Sequence, residues 1–127
     1  MIKIKKGLDL PIAGKPNQET IQTYNASTVA LVGADYWWFK PTMAVKEGDI
    51  VKKGQLLFSC KKEEGIRFTA TASGTVKAIN RGDRRSFQSL VIEVKGDESV
   101  TFENYKGADL ETYSTEETKA LLIESGM

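Results

Sequence analysis

The sequence predicts a mainly β domain, a small sandwich or barrel with an irregular N-terminal arm and a short C-terminal helix, and three observations carry that expectation. Short apolar runs between residues 28 and 102 repeat with a period of two, as half-buried strands do. Turn signals punctuate them about every 8 to 12 residues, too tight a spacing for parallel strands joined by crossover helices. The clearest helix start, Ser114-Thr115-Glu116-Glu117, follows the last of these runs.

Taken in order, Met1 to about Thr28 has Gly7, Pro11, Gly14 and Pro16 breaking any period, and only Ile2 and Ile4 alternate as a short strand would. Residues 1–28 are therefore expected to be an arm that packs against something. Thr28 to Gly33 (TVALVG) is a β-branched run ended by a turn signal, which suits a buried strand and opens a domain placed at 29–105. Met43 to Lys61 holds two strand-like stretches around Gly48 and Gly54, residues that readily supply positive φ in tight turns, with Leu56, Phe58 and Cys60 on one face. Val76 and Ala78 alternate in GTVKAIN, and Leu90, Ile92 and Val94 alternate with Val91, Glu93 and Lys95.

Residues 106–127 read as a linker and a short helix. Ser114 can accept from a first-turn amide while Glu117 reaches back, and the helix then runs over Leu121, Leu122 and Ile123 to Gly126. About two and a half turns cannot persist alone, so this helix has to pack on something. Met127 directly after a C′ glycine suggests a chain cut at a domain boundary and leading into a further C-terminal part.

The composition narrows the function. A chain of 127 residues, 40% hydrophobic, can bury roughly two-thirds of its unfolded surface around one core. With 18 basic against 17 acidic residues there is no overall field to draw in nucleic acid, and partners have to be read from local surface. The lone Cys60 and a start without an apolar signal-peptide core point to a reducing cytoplasm, and no apolar run approaches the ~20 residues of a spanning helix. The absence of histidine excludes the common catalytic triads and His-ligated zinc, and one cysteine excludes iron–sulfur ligation. Asn25-Ala26-Ser27 and Arg81-Gly82-Asp83 match a glycosylation acceptor and an adhesion tripeptide only by coincidence.

Two stretches, EGDIVKKGQLLF (Glu47–Phe58) and ASGTVKAINRG (Ala72–Gly82), resemble the lipoyl and biotinyl fold, a barrel-sandwich hybrid. That resemblance implies that a carrier lysine would sit between Lys61 and Phe68. The sequence there is KKEEGIRF, without the Asp-Lys-Ala of a lipoyl domain or the Met-Lys-Met of a biotinyl domain, so Lys61 and Lys62 read as solvated lysines on a polar turn. More specifically, IKKGLDLPIAG (Ile4–Gly14), KPTMAVKEGDIVKKGQLLF (Lys40–Phe58) and INRGDRRSFQSLVIEV (Ile79–Val94) are similar to the A subunit of the bacterial sodium-translocating NADH:quinone oxidoreductase, and the similarity spans essentially the whole chain.

The resemblance implies a peripheral protein on the cytoplasmic side of the bacterial inner membrane, partnered by the other subunits of a complex that passes electrons from NADH to ubiquinone and exports sodium. Flavins and iron–sulfur centres would belong to those other subunits. This segment is expected to have no cofactor, metal or catalytic site of its own and to act as a scaffold or assembly module. The alternatives are a contribution to quinone binding near Trp37 and Trp38, and a carrier domain with a modified lysine. Cys60, on an apolar face with no base beside it, reads as a buried structural thiol.

Two features stand out as partner contacts. Tyr36-Trp37-Trp38-Phe39 departs from the family, where smaller residues follow the tyrosine, and four consecutive aromatics cannot all face one core. Either two rings are core and two cap the sheet edge, or Trp37, Trp38 and Phe39 meet a partner. Arg81, Arg84 and Arg85, with Asp83 among them, form a basic turn that could meet acidic lipid headgroups, a nucleotide phosphate or an acidic partner, or simply be solvated.

Overall fold

The computed structural model describes residues 13–127, so the Ile2–Ile4 alternation and the start of the arm lie outside the described residues. Residues 13–27 belong to no helix or strand and are exposed, so no side chain in the described part of the arm is buried against the barrel. The strands are β1 (Thr28–Val32), β2 (Pro41–Met43), β3 (Ile50–Val51), β4 (Leu56–Cys60), β5 (Arg67–Thr69), β6 (Gly74–Arg81) and β7 (Phe87–Val94), followed by helix α1 (Thr115–Ser125). They form two antiparallel sheets, one ordered β1-β7-β6-β3 and the other β2-β4-β5, giving the mainly β class that the alternation predicts.

Leu31, Val76, Leu90 and Ile92 from the first sheet meet Leu57 and Phe58 from the second in one core, joined by Val51 and Ala70. Each such side chain, once fully buried, contributes about 1.5–3 kcal/mol. The alternation on β7 holds, since Leu90 and Ile92 are buried while Glu93 is exposed.

Elsewhere the period of two is interrupted. β4 shifts register against β5 between Leu56 and Phe58, and the extra residue puts Leu57 in the core beside Phe58, both fully buried, instead of only Leu56, Phe58 and Cys60 facing inward. A second shift, between Val76 and Ala78, makes Ile79 pack on the core, so Val76 and Ala78 do not simply alternate. β1 is an edge strand with only Leu31 buried, rather than the buried strand its apolar run suggests.

The turn glycines behave as their chemistry requires. Gly48 and Gly54 have φ of 90° and 83°, and at Gly54 the added conflict would be a Cβ only 3.0 Å from Val100. Gly74 is more constrained: with φ of 152°, a Cβ would lie 1.9 Å from the Glu93 carbonyl oxygen.

α1 begins with the capping box read from Ser114 and Glu117 and ends on Gly126 in the left-handed conformation. No residue of the helix is fully buried, and its attachment is largely polar. Thr69 Oγ1 donates to the Ser125 carbonyl at 2.9 Å, and Gly126 comes so close to β5 that a Cβ would sit 2.7 Å from the Arg67 carbonyl oxygen.

Candidate functional site

The aromatic segment is placed by Gly33. A Cβ there would lie 2.4 Å from the Phe87 carbonyl oxygen, so only glycine lets the chain leaving β1 pass this close to the start of β7. A 3-10 turn at Gly33–Asp35 then delivers Tyr36 to Phe39 across the end of the core.

The four rings divide. Phe39 turns inward, its centroid 5.4 Å from Phe58, 4.9 Å from Phe68 and 5.7 Å from Phe87, so this candidate surface residue is a packing residue. Tyr36 stands edge-on to Phe68 at 4.6 Å and closes the sheet margin. Trp37 and Trp38 remain 86% and 74% exposed. Trp38 has a φ of 65°, a left-handed conformation that bulky residues avoid, and the backbone there turns the ring out of the core.

Trp38 forms one wall of a groove of about 620 Å³. The β4–β5 hairpin supplies another wall through Lys62 to Phe68, with the Lys62 Nζ 5.1 Å above the Trp38 ring. Ile123, Gly126 and Met127 at the end of α1 complete it. That contribution had no signal in the sequence, because it depends on where the helix docks. Lys61 and Lys62 do occupy the hairpin where a carrier lysine would stand, yet the Lys62 ammonium lies over an indole.

Cys60 also lines the groove and is half-buried, so the expectation of a buried thiol is corrected. The backbone N–H of Lys40 is the largest influence on it and lowers the thiol pKa, partly opposed by desolvation and assisted by the N–H groups of Lys62 and Glu63. The Glu63 carboxylate lines the same groove, and its charge opposes the lowering. Among the described residues no cluster of histidine, cysteine or carboxylate side chains could hold a metal ion.

The arginine turn is the tip of the β6–β7 hairpin. Gly82 N–H donates to the Ser86 carbonyl at 2.9 Å, and the Arg81 guanidinium donates to the Arg85 carbonyl at 3.4 Å. Arg84 and Arg85 are both left-handed, with φ of 53° and 62°, and all three arginines are exposed without a carboxylate partner among the described residues. Arg81 pairs with Phe87, whose ring touches Phe39, so the tip and the two tryptophans lie at the same end of the molecule. The structure thus brings the two groups of sequence candidates together, apart from Phe39.

Comparison with known proteins agrees with this architecture. Residues 2–95 match the family described as NqrA N-terminal barrel-sandwich hybrid domain. Over the whole chain it is 56% identical to the A subunit of the Na(+)-translocating NADH-quinone reductase of Marinomonas sp. (strain MWYL1) and 57% identical to that of Haemophilus influenzae (strain PittEE). The corresponding protein of Glaesserella parasuis serovar 5 (strain SH0165) is 52% identical. The chain spans 28% of the length of each of these relatives.

Proposed function

The chain belongs to the family of NqrA N-terminal barrel-sandwich hybrid domains, and from that membership we propose that it is a non-catalytic positioning module of a sodium-translocating NADH:quinone reductase. Its task is to hold the NqrA protein in place, peripherally on the cytoplasmic side of the inner membrane, against the rest of the complex. The observation that carries this reading is the pair of exposed tryptophans. Both stay outside the core, Trp38 on a left-handed backbone that keeps it turned away, and exposed large rings of this kind favour a contact surface. Among the described residues no helix is long and apolar enough to cross a membrane.

The test is retention of the full-length NqrA protein in native membranes washed at low salt, with Trp37→Ala and Trp38→Ala together against the unaltered protein. Loss of retention from a folded protein supports the reading. Full retention with normal NADH:quinone reductase activity overturns it.

A second reading has its own observation. The groove beside Trp38 has a volume in the range of small-molecule sites, and its apolar lining of Phe39, Ile66 and Phe68 beside the charged Lys62, Glu63 and Arg67 suits the ring and carbonyls of a quinone. Titration with a short-chain quinone would quench tryptophan emission if the groove holds it, and a flat titration removes this reading.

A further inference from the structure

The end of the barrel that carries Trp37, Trp38 and the β6–β7 tip has a charge of its own. Residues 35–40, 61–67 and 81–86 hold seven basic side chains (Lys40, Lys61, Lys62, Arg67, Arg81, Arg84, Arg85) and four acidic ones (Asp35, Glu63, Glu64, Asp83), net +3, while the whole chain is only +1. The other described residues hold eight basic and twelve acidic side chains, net −4, so the charge of the described residues is polarised towards this end.

We propose that this end rests on the anionic headgroup surface of a phospholipid bilayer, the arginines of the tip on lipid phosphates and the Trp37 indole at the level of the headgroups. The inference rests on the reading of this end as a contact surface and names what it contacts. Three features agree. Indoles are amphipathic rings that settle at a membrane–water interface, and here two of them stay exposed at the rim of the groove instead of packing in the core. Guanidinium groups are the side chains best shaped for phosphate oxygens, and the tip offers three that no carboxylate neutralises among the described residues. The tip also keeps two successive arginines in left-handed backbone conformations, a strain that glycine or asparagine would relieve and that holds the side chains outward. An acidic protein partner would match the charge as well, and the vesicle experiment below separates it from a lipid surface.

The experiment is co-sedimentation of the full-length protein with large vesicles of phosphatidylcholine alone or with 30–40% phosphatidylglycerol (about the range where surface potential is strong), at low and high salt. Binding to the anionic vesicles at low salt is expected, with a blue shift of tryptophan emission, and with loss at high salt as the headgroup attraction is screened. Each arginine is expected to be worth roughly a fivefold change in partition, so Arg81→Gln, Arg84→Gln and Arg85→Gln together should weaken binding on the order of a hundredfold. An unchanged melting midpoint keeps misfolding out of that comparison.

Equal binding to both kinds of vesicle, or undiminished binding by the arginine variant, overturns the proposal. So does loss of the other subunits from the arginine variant in detergent with vesicle binding intact, which would place a protein at the tip. If vesicle binding fails while the tryptophan variant still falls off native membranes, the contact surface stands and its partner is a protein. If vesicle binding succeeds but native retention is unaffected by the tryptophans, the broader reading fails instead.

Discussion

Glu124, in the last turn of α1, holds Asn104 twice, accepting from its backbone N–H at 3.0 Å and from its side-chain amide at 2.8 Å. It also accepts from the Glu103 N–H at 2.7 Å, so one carboxylate fixes the loop that precedes the helix. Replacement by alanine would leave both N–H groups without their acceptor and free α1 from the loop. We expect Glu124→Ala to lower the thermal midpoint and to raise amide exchange along 103–125, with the strands protected as before; unchanged exchange in α1 would contradict this.

The same attachment should depend on acid. The Lys106 ammonium beside Glu117, with the Ser114 N–H, lowers its pKa to about 2, and the N–H groups of Asn104 and then Glu103 lower that of Glu124. Both folded-state values lie below those of the unfolded chain, so the stabilisation is complete above about pH 4.5 and is lost as pH falls towards 2. Helical circular dichroism should decline over that window while the β signal persists, and the Glu117→Gln variant should already lack part of the transition.

Gly74→Ala should be severely destabilising, by more than about 2 kcal/mol, because its φ is positive and its new methyl would collide with the Glu93 carbonyl at the pairing of β6 with β7. Denaturant unfolding measures this directly. A variant as stable as the parent would mean that the hairpin can shift its register.

Leu57→Ala should cost about 2–5 kcal/mol, as for other fully buried leucines. Leu56→Ala should cost less, since Leu56 is only half-buried. Similar losses at both positions would argue against the β4 irregularity that separates them.

Arg84→Asn should move two quantities in opposite directions. Asparagine tolerates the left-handed conformation better, so stability should rise by about 0.5–1 kcal/mol, while anionic-vesicle binding should fall roughly fivefold. A loss of stability would show that the arginine side chain itself braces the turn.

Much of this fold was legible because its strongest signals are local. Alternation gave β7, positive-φ chemistry gave Gly48 and Gly54, and the Ser114–Glu117 capping box gave the start of α1. The errors arose where one inserted residue changes the phase. A count by twos cannot see that Leu57 enters the core or that Ile79 follows Val76 inward, because the bulges are defined by the partner strand. The edge position of β1 was hidden for the same reason. For the site, four consecutive aromatics announced that some ring would be exposed, yet which ones depended on Trp38 adopting a left-handed backbone. The convergence of Trp38, Lys62 and Met127 on one groove joins segments far apart in sequence, and no local pattern records it.

The pairing of Thr28 with Glu93 has a kinetic consequence. β6 and β7 can zip through a short turn, whereas β1 must wait for a strand about sixty residues downstream, so the hairpin is the natural nucleus and β1 the late arrival. During synthesis Leu31 stays without its partner Leu90 until nearly the whole barrel has emerged, and the interval before that closure is when the nascent chain is most open to mispairing or to a chaperone.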